Sequence, residues 1–86
     1  MKIIDIETKL GNGILKKCLE NGWELMSEYD KNMIDKGIDY DSYTIIKNKD
    51  ELIFEWSNWV EWEVSGNKKT IDWFIKEFNL SSNKLE

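Results

Sequence analysis

The most regular pattern in the chain is an alternation of apolar and polar side chains over residues 52–64. The even-numbered positions carry the apolar side chains Leu52, Phe54, Trp56, Val60, Trp62 and Val64. The odd-numbered positions carry Ile53, Glu55, Ser57, Trp59, Glu61 and Glu63. Alternate residues of a strand point to opposite faces of a sheet, so this segment predicts β-structure with one dry face and one acidic face.

The pair Ser57-Asn58 allows two interpretations of this segment. Either residues 52–64 form one long strand that a bulge bends, or a turn divides them into two strands. A two-residue turn would place Phe54 opposite Glu61, and a three-residue loop would place Glu55 opposite Glu61. Because the alternation continues on both sides of Asn58, it favours the single bent strand, with a fifth strand as the alternative.

Three more segments have the composition of strands. Residues 2–6 are short and β-branched, and residues 42–47 are rich in Tyr, Thr and Ile. Residues 23–29 alternate, with Trp23, Leu25 and Tyr29 on one side. Residues 30–41 are polar, and we expect a loop or a short helical turn there.

The turn after residues 42–47 sets how that strand pairs with the central segment. With Lys49-Asp50 at its centre, the turn places three apolar pairs opposite one another: Ile45 and Phe54, Tyr43 and Trp56, Ile46 and Ile53. A shift of one residue would turn apolar side chains to the polar face, so we expect this register.

Two segments predict amphipathic helices. Gly11-Asn12-Gly13 interrupts the first strand, and Asn12 is a suitable N-cap for a helix over residues 13–20 that ends at Asn21-Gly22. Its apolar face combines Ile14, Leu15, Cys18 and Leu19. Residues 65–67 cap a second helix over residues 68–79, whose core stripe is Ile71, Phe74, Ile75 and Phe78.

The predicted order is β-α-β-β-β-α, with the optional fifth strand. It indicates an α+β two-layer sandwich, in which two helices pack on one face of a mainly antiparallel sheet of about four strands. Residues 1–80 are expected to form a single domain and residues 81–86 a frayed tail, whose terminal Leu85-Glu86 is typical of a cloning remnant. The element order resembles that of the TATA-binding-protein repeat and of several other small α+β folds, and topology alone implies no function.

Composition indicates a soluble protein of the cytoplasm. The lone Cys18 excludes an internal disulfide framework, and no apolar run approaches the length of a membrane span. The chain lacks Ala, Arg, Gln, His and Pro and is rich in Ile, Lys and Asn, which suggests an AT-rich bacterial or phage genome. The net charge is −5, and residues 20–64 contain twelve acids against four lysines. This acidic field repels nucleic acid and favours a basic partner.

The residues offer little support for catalysis or for a cofactor. Without His, the chain lacks the commonest acid–base and metal-ligating side chain. Cys18 lies on an apolar stripe, where a buried, inert thiol is expected. Gly11-Asn12-Gly13 lacks the third glycine of a dinucleotide fingerprint, and the spacing of Asp35, Asp39 and Asp41 does not match a calcium loop. We therefore expect no enzyme, no cofactor and no bound metal.

Two tryptophans are out of phase with the predicted core. Trp59 falls on the acidic face, where it would extend an apolar strip of Ile46 and Ile53. The acids expected to edge that strip are Glu55, Glu61 and Glu63. Trp73 lies nearly opposite the core stripe of its helix. Alternatively, Trp59 turns inward at a bulge, residues 30–41 cover that face, or Trp73 packs against Leu80 or the tail.

The sequence favours a small, acidic, non-enzymatic interaction module. Exposed aromatic side chains bordered by charge are typical of binding patches, so we expect a basic protein partner bound through Trp59, Glu55, Glu61, Glu63, Ile46, Ile53 and Trp73. An inhibitor, an immunity factor or a regulator would have this character. The alternative is a small-molecule or carbohydrate binder that uses Trp and Tyr side chains for stacking. The strip could also serve as a homodimer contact, and no membrane contact is expected.

Overall fold

A computed structural model describes residues 1–28 and 40–86. In chain order, the elements are β1 (Lys2–Ile6), α1 (Thr8–Glu20), β2 (Glu24–Glu28), β3 (Tyr40–Lys47), β4 (Asp50–Ser57), β5 (Glu61–Ser65) and α2 (Lys68–Glu77). A short 3-10 turn follows at Ser82–Lys84. The α+β class and the predicted order are confirmed, and the optional fifth strand is present.

The five strands form one sheet in the order β1-β5-β4-β3-β2, and every neighbouring pair is antiparallel. Strands β3, β4 and β5 follow one another both along the chain and across the sheet. Strand β1 lies at one edge and β2 at the other, so α1 carries the chain across the sheet from edge to edge.

The predicted dry face of the sheet is the core. Helices α1 and α2 both lie on it, and we call it the inner face. The buried strand residues are Ile3, Ile6, Ile45, Leu52, Phe54, Trp62 and Val64. The helices add Ile14, Cys18, Ile71 and Phe74. The alternation of apolar and polar positions therefore correctly identified the buried side of the central strands.

The preference for one long bent strand through residues 52–64 is wrong. Strand β4 ends at Ser57, residues 58–60 form a turn, and β5 begins at Glu61. The pairing Ser57–Glu61, Trp56–Trp62 and Phe54–Val64 keeps even-numbered residues together on the inner face. The turn spans an odd number of residues, so it preserves the alternation that had favoured an unbroken strand.

The predicted register between β3 and β4 is shifted by two residues. Tyr43 lies opposite Phe54 and Ile45 opposite Leu52, because the turn consists of Asn48 and Lys49 between Lys47 and Asp50. Asn48 has a φ of 58°, a left-handed conformation that asparagine tolerates better than most residues. A two-residue shift leaves each side chain on its predicted face, so the error changes partners and not burial.

Helix α1 begins five residues earlier than predicted, at Thr8, and includes Gly11-Asn12-Gly13. Gly11 is buried against Trp62, and a Cβ atom at this position would lie 2.2 Å from Trp62 Cδ1. Asn12 lies inside the helix and is not its N-cap, which is Glu7. The Oδ1 atom of Asn12 instead accepts a hydrogen bond from Trp62 Nε1 at 3.0 Å. The glycine allows the helix backbone to lie directly on the indole.

The two helix faces match the prediction to different degrees. In α2, Asn67 is the N-cap and accepts from the Thr70 backbone N–H at 2.9 Å, as expected of this residue type. Ile71 and Phe74 are fully buried there. In α1, Leu19 was assigned to the buried stripe but is 40% exposed.

The C-terminal segment is attached to the sheet, and the prediction of a frayed tail is wrong for it. Leu85 forms an antiparallel bridge with Ile3 and packs against the core. The Glu86 N–H donates to the Lys2 carbonyl at 2.9 Å, and Lys84 Nζ donates to the Asp5 carbonyl at 2.8 Å. These contacts occupy the outer edge of β1.

Cys18 is a buried thiol, as the sequence predicted. Its side chain belongs to the core and is only 2% exposed. The pKa of the Cys18 thiol is raised from 9.0 to about 11, mainly by burial and also by the carboxylate of Glu77, with a partial offset from Lys47. The thiol is therefore held in its unreactive, protonated form.

We expect Gly11→Ala and Gly13→Ala to change stability in opposite directions. The alanine at position 11 would overlap a buried indole, so the free energy of unfolding should fall by about 1–3 kcal/mol. Nothing lies within 4 Å of a Cβ atom at Gly13. There the better helix propensity of alanine should raise the free energy of unfolding by up to about 1 kcal/mol. Urea unfolding of both variants measures the difference, and equal effects would contradict the close contact.

The raised pKa of Cys18 predicts a loss of stability in alkali. Between about pH 9 and about pH 11 the thiol ionises in the unfolded chain but not in the folded one, so deprotonation favours unfolding. Over this range the wild type should lose about 2–3 kcal/mol of unfolding free energy more than Cys18→Ala does. Lysine and tyrosine titrations are common to both proteins and cancel. Parallel pH profiles would show that the thiol is not buried.

Candidate functional site

The face of the sheet opposite the helices, the outer face, carries most of the predicted binding residues. Strand pairing places Glu55 directly opposite Glu63, and Ile53 opposite Thr44 and Ser65. Antiparallel partners share a face, so these residues point away from the buried Phe54 and Val64. The side chains of these five residues are all half-buried.

The facing carboxylates of Glu55 and Glu63 dominate this face. Like charges directly opposite each other destabilise a sheet unless they have other partners. The Tyr40 hydroxyl donates to Glu55 Oε2, and Lys2 Nζ lies 3.3 Å from Glu63 Oε2. The hydrogen bond and charge of Glu63, with a contribution from Glu86, raise the pKa of Lys2. Glu55 and Glu63 thus remain side by side, each held by one donor.

Trp59 lies on the turn of residues 58–60, the hairpin tip, and not on a strand face as predicted. Its side chain is 87% exposed, the largest exposure among the described large hydrophobic residues. The turn joins Ser57 to Glu61, which pair with each other just beyond the Glu55–Glu63 pair. The exposed indole therefore lies at the end of the acidic outer face. The alternative that it turns inward is wrong.

Glu61 has a structural role that the sequence did not indicate. Its φ of 55° is left-handed, and its Oε1 accepts from the Thr8 N–H at 3.4 Å and from Thr8 Oγ1 at 3.1 Å. Trp56 Nε1 donates to the same Thr8 oxygen at 2.8 Å. Thr8 is the first residue of α1, so Glu61 places a negative charge at the helix N-terminus. Its carboxylate is engaged there and does not edge the predicted patch.

The predicted strip of Ile46, Ile53 and Trp59 is only partly assembled. Ile46 lies opposite Glu51, and Ile53 lies opposite Thr44, so the two isoleucines are diagonal neighbours on the outer face. Both are half-buried. Trp59 is separated from them by the Glu55–Glu63 and Ser57–Glu61 pairs. The three side chains therefore form no continuous apolar strip.

Trp73 belongs to a different surface. It lies on α2 in the helix layer and is 39% exposed. Its ring stacks on Trp23, with centroids 5.7 Å apart, and meets Phe78 edge-on at 6.2 Å. The sequence offered Leu80 or the tail as packing partners for Trp73, and it did not predict Trp23 or Phe78. Trp73 and Trp59 do not form one site.

A groove around the paired indoles was missed by sequence reasoning. Two open hollows, of about 280 and 250 Å³, share the lining residues Trp23, Lys47 and Trp73. We call this combined feature the indole groove. Lys47 Nζ donates to the Asn21 carbonyl at 3.0 Å, which holds the ammonium beside the indoles. The only signal in the sequence was that Trp73 lies off the core stripe of its helix.

Two further expectations concern metals and membranes. Within residues 1–28 and 40–86, no three acidic or cysteine side chains are grouped so as to hold a metal ion. Of the acidic loop residues, Asp41 lies at the start of β3, and Asp35 and Asp39 are outside the described residues. Neither described helix is long and apolar enough to cross a membrane.

Comparisons with known proteins do not assign this chain. No family model matches it, and neither the curated proteins nor the solved structures yield a match. The resemblance in element order to the TATA-binding-protein repeat therefore identifies no family. Among the described residues, two surfaces have distinctive chemistry: the acidic outer face with its hairpin tip, and the indole groove.

Proposed function

We propose that this protein is a non-enzymatic interaction module that binds a basic protein through the outer face and the hairpin tip. The partner would contact Trp59, with Glu55 and Glu63 supplying negative charge beside it. Ile53 would extend the contact along β4. An inhibitor, an immunity factor or a regulator of a basic cytoplasmic protein would act in this way.

The exposed indole of Trp59 is the observation that carries this proposal. Burying a tryptophan removes on the order of 150–250 Å² from water, and the fold gains almost none of this at position 59. Tryptophan is also the residue type that most often dominates binding energy at protein interfaces. Trp59 is therefore well suited to gain its burial from a partner.

The shape of the site favours a protein over a small ligand. Small molecules bind in concave sites that cover most of their surface. An indole that is 87% exposed on a turn projects from the surface and can touch a small ligand on one side only. A protein with a hollow of its own can enclose the ring.

The charge of the outer face favours a basic partner. Within the described strands, pairing places Glu24, Glu51, Glu55 and Glu63 on this face, where Lys2 is the only lysine. Glu24 and Glu51 pair on either side of Ile46. The net charge of −5 acts in the same direction. Such a field speeds association with a cationic protein and repels acidic ones.

We expect Trp59→Ala to abolish partner capture while leaving the fold intact. Because the side chain is outside the core, the free energy of unfolding should change by less than about 0.5 kcal/mol. Immobilised wild type and variant are compared by quantitative proteomics of bacterial lysate. Proteins that depend on Trp59 should be basic. Loss of binding should reach at least about tenfold, as for other interface tryptophans.

Leu10→Ala is the matched control for this experiment. Leu10 is an exposed apolar residue on α1, remote from the outer face. It should capture the same proteins as the wild type. Equal capture by Trp59→Ala and wild type would refute the proposal, as would a Trp59-dependent set made up of acidic proteins.

We expect the combined change Glu55→Gln and Glu63→Gln to slow association with the captured partner. Removing two facing charges should reduce the association rate constant by about two- to tenfold at low salt and weaken its salt dependence. The control is Glu20→Gln with Glu77→Gln, an equal change of charge on exposed residues of the helix layer. Biolayer interferometry at several salt concentrations compares the two. Indistinguishable rates would show that the outer-face acids do not steer binding.

A further inference from the structure

The indole groove has the chemistry of a second binding site, on the opposite layer of the molecule from the outer face. Its wall is the stacked pair Trp23–Trp73, and Trp73 leaves part of its ring exposed. One half of the groove also contains Cys18 and Phe78, and the other contains Lys69 and Thr70. Each half is slightly smaller than a typical ligand site of roughly 300–1,000 Å³, and the shared residues join them.

The charge of the groove is opposite in sign to that of the whole protein. Three lysines line it, Lys17, Lys47 and Lys69, against two acids, Asp50 and Glu77. Asp50 already accepts a hydrogen bond from the buried Thr70 hydroxyl at 3.1 Å. The net charge of the lining is therefore positive, in a chain of net charge −5. A positive surface of this kind concentrates anions.

The lysine at the centre of the groove retains capacity for a ligand. An ammonium group has three N–H donors, and Lys47 donates to the Asn21 carbonyl. That bond holds the ammonium beside Asn21, in the half that contains Cys18 and Phe78, while the Lys47 side chain lines both halves. Lys69 is exposed on the first turn of α2 and lines the same hollow as Lys47 and Trp73. The two ammonium groups could approach one anion together.

We propose that the indole groove binds a small anion that carries a flat ring. The ring stacks against Trp73 in the half that contains Phe78 and Cys18. The anionic group lies at the junction of the two halves, between Lys47 on one side and Lys69 on the other. The nearby carboxylate of Asp50 accepts a hydrogen bond from Thr70. A nucleoside phosphate and an aromatic carboxylate share this chemistry. The site is independent of the proposed protein interface.

The experiment is a titration followed by the indole N–H signals of the five tryptophans in proton–nitrogen correlation spectra. Four probes are added separately: AMP, indoleacetate, adenosine and inorganic phosphate. AMP or indoleacetate should move the signals of Trp23 and Trp73 and leave that of Trp59 in place. Adenosine lacks the charge and phosphate lacks the ring, so each should bind more weakly. Tighter binding of AMP would indicate a nucleoside phosphate as the ligand, and tighter binding of indoleacetate would indicate an aromatic carboxylate.

Lys69→Met tests the contact with the anion, because the residue is exposed and its replacement leaves the core unchanged. It should raise the dissociation constant of the better probe about three- to fivefold, whereas Lys9→Met, an equal change of charge at the start of α1, should leave it unaltered. Trp73→Leu should abolish binding. The proposal is overturned if no probe moves Trp23 or Trp73 at millimolar concentration, if adenosine binds as tightly as AMP, or if Lys69→Met and Lys9→Met have equal effects.

Discussion

The contact between α1 and the indole of Trp62 determines how the two layers of this protein fit together. Gly11 allows the helix backbone to approach to a distance that any other residue would prevent. Asn12, the next residue, accepts the indole N–H. The same turn of helix thus supplies both the space for the ring and the partner for its polar atom. With α1 fixed here, Ile14 and Cys18 fall on the core.

A second pair of contacts orients the helix. Thr8 joins Trp56 on β4 to Glu61 on β5, through hydrogen bonds on both sides of one hydroxyl. Indole N–H groups from neighbouring strands therefore contact α1 at Thr8 and Asn12, one turn apart. A small domain has few ways to hold a helix at a defined angle, because its core is thin. Here the buried Trp62 and the half-buried Trp56 supply both apolar area and directed hydrogen bonds.

The sequence predicted those features of the fold that local patterns determine. Helix α2 has a complete stripe and an asparagine cap, so its position was correct. Alternation identified the inner face, but it is unchanged by a shift of two residues or by a turn of three. It could not settle the β3–β4 register or the break at residues 58–60. The predicted start of α1 was too late because Gly11 and Gly13 have low helix propensity. The contact with Trp62 that stabilises the helix there comes from some fifty residues away and leaves no local pattern.

For the candidate sites too, the sequence predicted what local patterns determine and missed what depends on distant contacts. The exposure of Trp59 was predicted, although from its place on an assumed strand and not from the turn that holds it. Glu61 was assigned to the wrong surface because nothing in the sequence revealed its left-handed backbone. Trp73 was recognised as lying off the core stripe, yet its partner Trp23 is distant in the chain. A helical projection gives the direction in which a side chain points, but it does not identify the residue that the side chain contacts.

The position of Trp59 has a consequence for how this surface can diverge. None of residues 58–60 belongs to the described core, and strand pairing resumes at Ser57 and Glu61 on either side. A substitution of Trp59, whose side chain is 87% exposed, would leave the packing of both layers untouched. In the proposed interaction, a change at this one position could therefore alter which partner the hairpin tip contacts, at little cost to folding.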